Sequence, residues 1–437
     1  MNLKVCKLGN FILRMKKTKI LYFSEFYAPQ NTVQTFRNLK ISKYLSKYGF
    51  KQYIFTADAP KDIATELNKD IPPDAVIFRK KLFLNKKIEN FSSLNLKPNF
   101  FTNVLKLLKD IVFPVDKNIW WVLSFIPKMI RTIKKEKINY VMIGGYPYSA
   151  FVGGYILKKI CKIKLILDFH DPWTTHPMCL SQSFIRRKSF DYWEKKCISN
   201  ADLVTVCIDC HLTDLKDKYK PNARLIKIPN GFDVDDFINI EPEIKPQNIF
   251  RFLYSGKLSI NSAEYNPESI ITAFLAFIKK HSIDDCEIML VGSLDEDTKT
   301  YIQSLNTEVI IFTDFLPKDR VLKFYKVADA FIHFHYPSQV TDRMSLKITE
   351  YAVYHKPIIS FNVKNGTLFN FLEKYSLGET ADSYNVEEMI ELFYKTYKGE
   401  MKICDNPIEV LHDYNWNSVV KVLHAQMENL SEYHKKF

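Results

Sequence analysis

Short apolar runs separated by helical stretches recur along nearly the whole chain, and this alternation limits the possible folds more than any other feature. The runs fall at 19–24, 54–56, 140–143, 165–168 and 203–206, and then, after a break, at 252–255, 287–291, 309–312, 330–333 and 357–360. Each is too short for a core helix and lacks the alternation of a half-exposed strand, as expected of strands buried on both faces of a parallel sheet. Strands alternating with helices build βαβ units. Between the two sets, Pro229-Asn230-Gly231 makes a turn and 241–246 is a polar, proline-bearing linker. The expected fold is α/β, with two Rossmann-like domains facing an interdomain cleft, the first over 15–240 and the second over 249–404. The closing segment 405–437, around Trp416, is expected to form helices that cross back to the first domain. A length of 437 residues suits two cores of this kind, and ligands of such sheets bind outside the carboxyl ends of the strands.

Composition narrows the partners. Apolar residues are 46% and charged residues 25% of the chain, which is ordinary for a globular protein. The net charge of +13 points to an anionic partner, either phosphorylated substrates or lipid headgroups. There is no zinc finger, RRM-like aromatic signature or arginine-rich arm, so nucleic acid is not expected. Residues 1–19 carry Lys4, Lys7, Arg14, Lys16, Lys17 and Lys19, but Phe11-Ile12-Leu13 is too short for the apolar part of a secretion signal. Met15 leads directly into the first strand and is a second candidate start. No run approaches the roughly 18 apolar residues of a membrane span. The eight cysteines lack the spacing of a secreted framework, so a cytoplasmic protein is expected, and Cys207-x-x-Cys210, with no second pair, reads as structural. Over 100–137, Trp120, Trp121 and Phe125 interleave with Lys117, Lys128 and Arg131. That pattern fits either peripheral attachment to the inner face of a membrane or a pair of core-facing helices with solvated lysines.

Three segments carry chemistry. In 341–359, Thr341 or Asp342 can cap a helix whose first amides, through Ser345, Leu346 and Lys347, are free to hold a diphosphate. Glu350 follows about two turns along, where a carboxylate can hold two ribose hydroxyls. Taken alone, the same segment is an ordinary capped amphipathic helix. In 254–258, Gly256 lets the backbone approach a ligand and Lys257 can neutralise a leaving diphosphate. In 165–173 a strand ends in Asp168, His170 and Asp171, and three titratable groups at a strand end mark a site. Alternating Asp and His on one strand end rarely completes a metal ligand set, so no metal is expected.

These segments resemble the retaining nucleotide-sugar glycosyltransferases of family four, which have the GT-B fold. The resemblance runs from about Lys19 to the C-terminus. It is carried by 26–29, Arg37, Pro114-Val115-Asp116, 168–173, 201–206, 228–233, Gly256-Lys257, Val291-Gly292, and Lys347-x-x-Glu350-Tyr351 before Lys356-Pro357-Ile358. It implies that Glu350 grips the donor ribose as the second acid of the family's E-x7-E motif, and that Asp342 replaces the first, which faces the donor sugar. Lys257 stands where an arginine often meets the diphosphate, and Lys347 can stand for the lysine usually found soon after. His170 matches a histidine that contacts the donor sugar or its phosphates. Phe315 and Leu316 fall where the base rests on backbone. Asn31 and Thr32 replace the glycine pair of the first loop and, with Arg37, Asp168 and Asp171, stand on the acceptor side. The implied activity is transfer of a sugar from a nucleotide-sugar donor to a glycan or lipid-linked acceptor with retention, in surface polysaccharide biosynthesis, without metal or other cofactor. A nucleotide-sugar epimerase and an inactive sugar-binding scaffold are the alternatives.

Overall fold

The computed structural model describes residues 17–59, 65–82, 114–334, 345–362, 364 and 366–432. The chain divides into two compact units. One ends at Ile228 and takes in the chain again from Val420, and the other runs from Pro229 to Val419. In the first, β1 (Thr18–Phe23), β2 (Phe50–Ala57), β3 (Val76–Lys80), β4 (Tyr140–Gly144), β5 (Lys164–Phe169), β6 (Leu203–Val206) and β7 (Arg224–Lys227) form one sheet. Its order is β3-β2-β1-β4-β5-β6-β7 and every pairing is parallel. The helices of this unit are α1 (Val33–Lys47), α2 (Ile119–Glu136), α3 (Ser149–Ile160), α4 (Pro177–Leu180), α5 (Phe184–Asn200) and α6 (Asp209–Tyr219).

In the second unit β8 (Phe250–Ser255), β9 (Cys286–Val291), β10 (Ile310–Phe312), β11 (Ala330–Phe334), β12 (Ile358–Phe361) and β13 (Gly378–Ala381) pair in the order β10-β9-β8-β11-β12-β13. Its helices are α7 (Glu268–His281), α8 (Glu296–Ser304), α9 (Lys318–Val327), α10 (Leu346–Ala352), α11 (Thr367–Lys374), α12 (Val386–Tyr397) and α13 (Pro407–Val410); α14 (Trp416–Glu432) begins here and ends in the first unit. Strand order reverses between β1 and β4 and between β8 and β11, and at such switch points the loops diverge and leave room for a ligand.

All ten expected strands are present. The three that the apolar pattern does not show, β3, β7 and β13, are edge strands whose residues are mostly half-buried. An edge strand with a partly solvated face does not need a continuous apolar run.

One expected boundary shifts, and one of two open readings gains support. The boundary falls at Pro229, not near 240, because Phe232 is buried in the second unit's core and pairs through its backbone with Tyr414 and Trp416. Within 100–137, residues 100–113 lie outside the described residues, and α2 is a core helix. Trp121, Val122, Phe125, Ile126, Met129 and Ile133 are all buried, with Trp121 stacked on Phe23 at 5.4 Å, so this apolar stripe serves the core. Among the described residues, no helix is long and apolar enough to cross a bilayer.

Candidate functional site

In the first unit the polar cluster at the end of β5 resolves into layers. Asp168 is fully buried and accepts from Arg37 Nε at 2.9 Å, Arg37 Nη2 at 2.7 Å and Thr205 Oγ1 at 2.5 Å. Burial works against its charge, but the Arg37 guanidinium and the contact with His170 hold its carboxyl well below the usual range. Arg37 is equally buried and spends another N–H on the Ile228 carbonyl. Neither residue can meet an acceptor, which corrects their expected placement. They form a buried ion pair beneath the site. What they support is His170, whose Nε2 lies 3.1 Å from Asp168 Oδ2 while its buried Nδ1 has no partner among the described residues. A ring nitrogen shut away from water and unpaired is costly unless a ligand completes it. Asp171 is half-buried and hydrogen-bonded to no described residue.

Asn31 is half-buried, and Thr32 is the N-cap of α1, its hydroxyl accepting from Thr35 N at 3.2 Å. That bond caps the helix at its start. Cys207 and Cys210 form no disulfide.

The switch point between β1 and β4 holds a group the sequence reading missed. Glu25, just past β1, is buried and accepts from Asn118 Nδ2 at 2.5 Å; beside it Phe26 stacks on the partly exposed Tyr146 at 6.5 Å. Burial first, and the neighbouring Asp116 carboxylate second, push the Glu25 carboxyl up to about 7. A raised pKa means that the folded chain holds the proton more tightly. The associated stability is fully present below about pH 4.5 and is lost as pH rises through about 7. Glu25→Gln should therefore flatten the fall in melting temperature between pH 5 and 7, and should raise stability at pH 8 by about 2–3 kcal/mol. An unaltered slope in the mutant would remove Glu25 as its cause.

In the second unit the groups converge on the carboxyl ends of β8 and β9. Gly256 (φ 150°) and Gly292 (φ 147°) bring the two strand ends together so closely that a Cβ on Gly292 would lie 2.1 Å from the Gly256 carbonyl oxygen. A Cβ on Gly256 would lie 2.1 Å from Lys347 Nζ, so this glycine makes room for the lysine amine. Burial depresses the Lys347 pKa to about 8, with Glu350 opposing the shift, and its ammonium stands 4.9 Å from the Tyr254 ring centre. Lys257 is exposed, beside Tyr265.

Helix α10 is shorter than expected. Its cap is Ser345, whose hydroxyl accepts from Lys347 N at 3.4 Å; Thr341 and Asp342 lie outside the described residues, as does the Leu346 side chain. Glu350 therefore comes little more than one turn in, not two. Hydroxyls fix this helix to its neighbours: Ser255 Oγ lies 2.5 Å from Tyr325 Oη and 3.1 Å from Tyr351 Oη, and Tyr351 stacks on Phe331 at 4.3 Å. Glu350 is buried, and its Oε1 pairs with Lys318 Nζ at 2.7 Å. Lys318 also meets Asp236 at 3.1 Å. Burial disfavours the Lys318 charge, but the two carboxylates outweigh it and raise its pKa above the ordinary lysine value. Oε2 of Glu350 has no partner among the described residues. Phe315 is not core: its ring is 62% exposed, beside the partly buried Leu316.

Lys318 was not foreseen, and nothing in the sequence marks it, since a lysine opening a helix is commonplace. Glu25 left a weak trace, as an acid directly after the first strand.

Comparison with known proteins agrees with this architecture. Residues 38–236 match the model of Glycosyltransferase Family 4, and residues 249–392 match that of Glycosyl transferases group 1. No curated protein matches the chain. Among solved structures, a sucrose-phosphate synthase from Thermosynechococcus elongatus is similar at TM-score 0.64 and 14% identity, over 95% of this chain and 100% of that one. A glycosyltransferase from Rickettsia africae ESF-5 is similar at 0.62 and 15%, over 94% and 98%. A UDP-GlcNAc 2-epimerase from Neisseria meningitidis bound to UDP-GlcNAc reaches 0.54 and 11%, over 94% and 100%. At these identities the likeness shows the fold alone. The two family matches, side by side across both sheets, are more telling: the chain belongs to the family-four, group 1 glycosyltransferases and has their GT-B fold.

Proposed function

We propose that the chain takes a sugar from a nucleotide-diphosphate-sugar donor and transfers it, with retention, to a glycan or lipid-linked acceptor at the cytoplasmic face of a membrane, as in surface polysaccharide assembly. The observation that carries this reading is the grouping on β8, β9 and α10: a glycine-lined turn, two lysines and a buried carboxylate with one unpaired oxygen. A diphosphate needs close backbone and positive charge, which Gly256, Lys257 and Lys347 supply. A ribose needs an acceptor for its hydroxyls, which Glu350 Oε2 supplies. The exposed Phe315 ring is a surface for the base.

In the transfer, the bond from the anomeric carbon to the diphosphate oxygen breaks and negative charge grows on the leaving group. Lys257 and Lys347 stabilise that charge, and a metal ion is not required for it. His170 Nδ1, held in place by Asp168, is left to accept a hydrogen bond from a sugar hydroxyl.

The test is incubation with a panel of nucleotide sugars and lipid-linked or glycan acceptors, following free nucleoside diphosphate and the anomeric configuration of the product. Conversion of the sugar without release of diphosphate would assign an epimerase. No conversion despite tight binding would assign an inactive scaffold. In an active pairing, His170→Ala should lower turnover by roughly a hundredfold, the range of a positioned polar group, with an unchanged melt. Full turnover in the folded mutant would take His170 out of the site.

A further inference from the structure

We propose that the switch point between β1 and β4 is a subsite for one uncharged sugar ring of the acceptor, with Tyr146 as its platform and Glu25 as the group that orients it. Calling the sugar the acceptor's rests on the transfer reaction proposed above, whose donor groups stand in the second unit. Phe23 pairs with Ile143, so the residues that follow, Glu25-Phe26 and Gly145-Tyr146, leave the sheet at one place. Phe26 stacks against the Tyr146 ring at 6.5 Å and Tyr148 meets it edge-on at 5.7 Å, yet Tyr146 remains 37% exposed. A ring fixed by two aromatic neighbours and still open to solvent is a preformed apolar platform with a polar tip. The C–H face of a pyranose matches such a platform, and its rim of hydroxyls needs a polar group beside it.

Glu25 supplies that group. It is only 7% exposed, its Oε2 accepts from Asn118 Nδ2, and its Oε1 has no partner among the described residues. A nearly buried carboxyl oxygen without a partner is costly until a ligand completes it. Asp116 beside it is already satisfied: Oδ1 accepts from Asn118 N at 2.9 Å and Ser149 Oγ at 2.7 Å, and Oδ2 from Ser149 N at 2.8 Å. These bonds join the end of β1 to the starts of α2 and α3, and so fix the direction of the one open oxygen.

Charge narrows the ligand. The groups that act on Glu25 are Asp116 and Lys117 ahead of α2, while Arg186 of α5 acts on Asp116 and Tyr146; from β2 the Thr56 hydroxyl donates to the Glu25 carbonyl. Burial pushes both carboxyls up, and Lys117 and Arg186 oppose this at Glu25 and Asp116 respectively, so the two cations are set against these acids. A phosphate or an acidic sugar would bring a third acid to the same place, whereas a neutral ring would not. With its carboxyl pushed up to about 7, Glu25 is in the acid form below that pH. Asn118 Nδ2 fills Oε2, so the proton sits on Oε1 and is available to a sugar oxygen. Above about pH 7 that donor is lost. A glutamine amide in its place would donate at every pH.

The test is saturation-transfer NMR on the full chain with the methyl glycosides of glucose, galactose, mannose, N-acetylglucosamine and glucuronic acid, titrated at pH 6 and pH 8. At least one neutral glycoside should bind, and more tightly than the glucuronide. Tyr146→Ala should weaken it by roughly tenfold while the protein stays folded. Wild-type affinity should fall by about three- to tenfold from pH 6 to pH 8, and in Glu25→Gln it should stay at the pH 6 level throughout. No binding of any neutral glycoside, tighter binding of the glucuronide, or an affinity indifferent to pH or to Tyr146→Ala would overturn the subsite. Failure of the transfer reading looks different: the glycoside would still depend on Tyr146 and on pH, but no nucleotide sugar would yield free nucleoside diphosphate.

Discussion

Asp168→Asn should destabilise the protein by about 3–5 kcal/mol, because it leaves the Arg37 guanidinium buried without a counter-charge. The substitution keeps the shape of the side chain, so the loss reports charge and not volume. In a thermal melt it should appear as a fall on the order of 10 °C in the transition of the first unit. Replacing both partners at once, with Arg37→Leu added, should cost less than the two single changes summed, since no buried charge is then stranded. The pH dependence has a definite sign. The Asp168 pKa is depressed, so its stabilisation is present above the ordinary carboxylate value of about 4 and is lost only as pH falls further. Asp168 thus leaves the melt flat between pH 5 and 7, the window assigned to Glu25. A loss below about 1 kcal/mol in Asp168→Asn would show that water reaches the pair and that it does not underpin His170.

Glu350→Gln should weaken binding of a nucleoside and of its diphosphate alike, by roughly tenfold to a hundredfold. A charge-assisted hydrogen bond contributes about 1.5–3 kcal/mol, and both ligands carry the ribose. Lys257→Ala should weaken the diphosphate and hardly touch the nucleoside, because its proposed partner is phosphate. The ion pair with Lys318 sharpens the argument. Lys318 occupies Oε1 and keeps the carboxylate oriented, so the ribose is left with Oε2. Calorimetric titration of both ligands into both mutants, beside their melts, is the measurement. Wild-type affinity in a folded Glu350→Gln protein would remove α10 from the donor site. Equal weakening of the nucleoside in the Lys257 and Glu350 mutants would indicate general loss of structure instead.

The fold was legible in the central strands. Residues such as 20–23 and 288–291 are buried on both faces, so they must be apolar throughout, and that requirement is written in consecutive residues. The edge strands β3, β7 and β13 escaped because one side of each meets solvent and releases the constraint. Residues 168–171, Gly256, Lys257, Lys347 and Glu350 could be picked out because dense polar groups at strand ends, or a glycine before a lysine, are locally unusual. What each of them does could not be read in the same way. α2 shows the limit: its period of 3.6 announces an apolar stripe, but the same stripe serves a core or a membrane until the covering residues, Phe23 among them, are known.

The chain's own order of residues therefore determined the two parallel sheets and drew attention to most of the candidate site residues. The tertiary structure alone decided which charges are structural. Arg37 reaches Asp168 across 131 positions and Lys318 reaches Glu350 across 32, because each pair joins elements that only the folded sheets bring together. Pairing of charges depends on distance and dielectric in space, and neither is encoded by spacing along the chain. For that reason Asp168 and Asp171, three residues apart, end as a buried brace and a half-buried group.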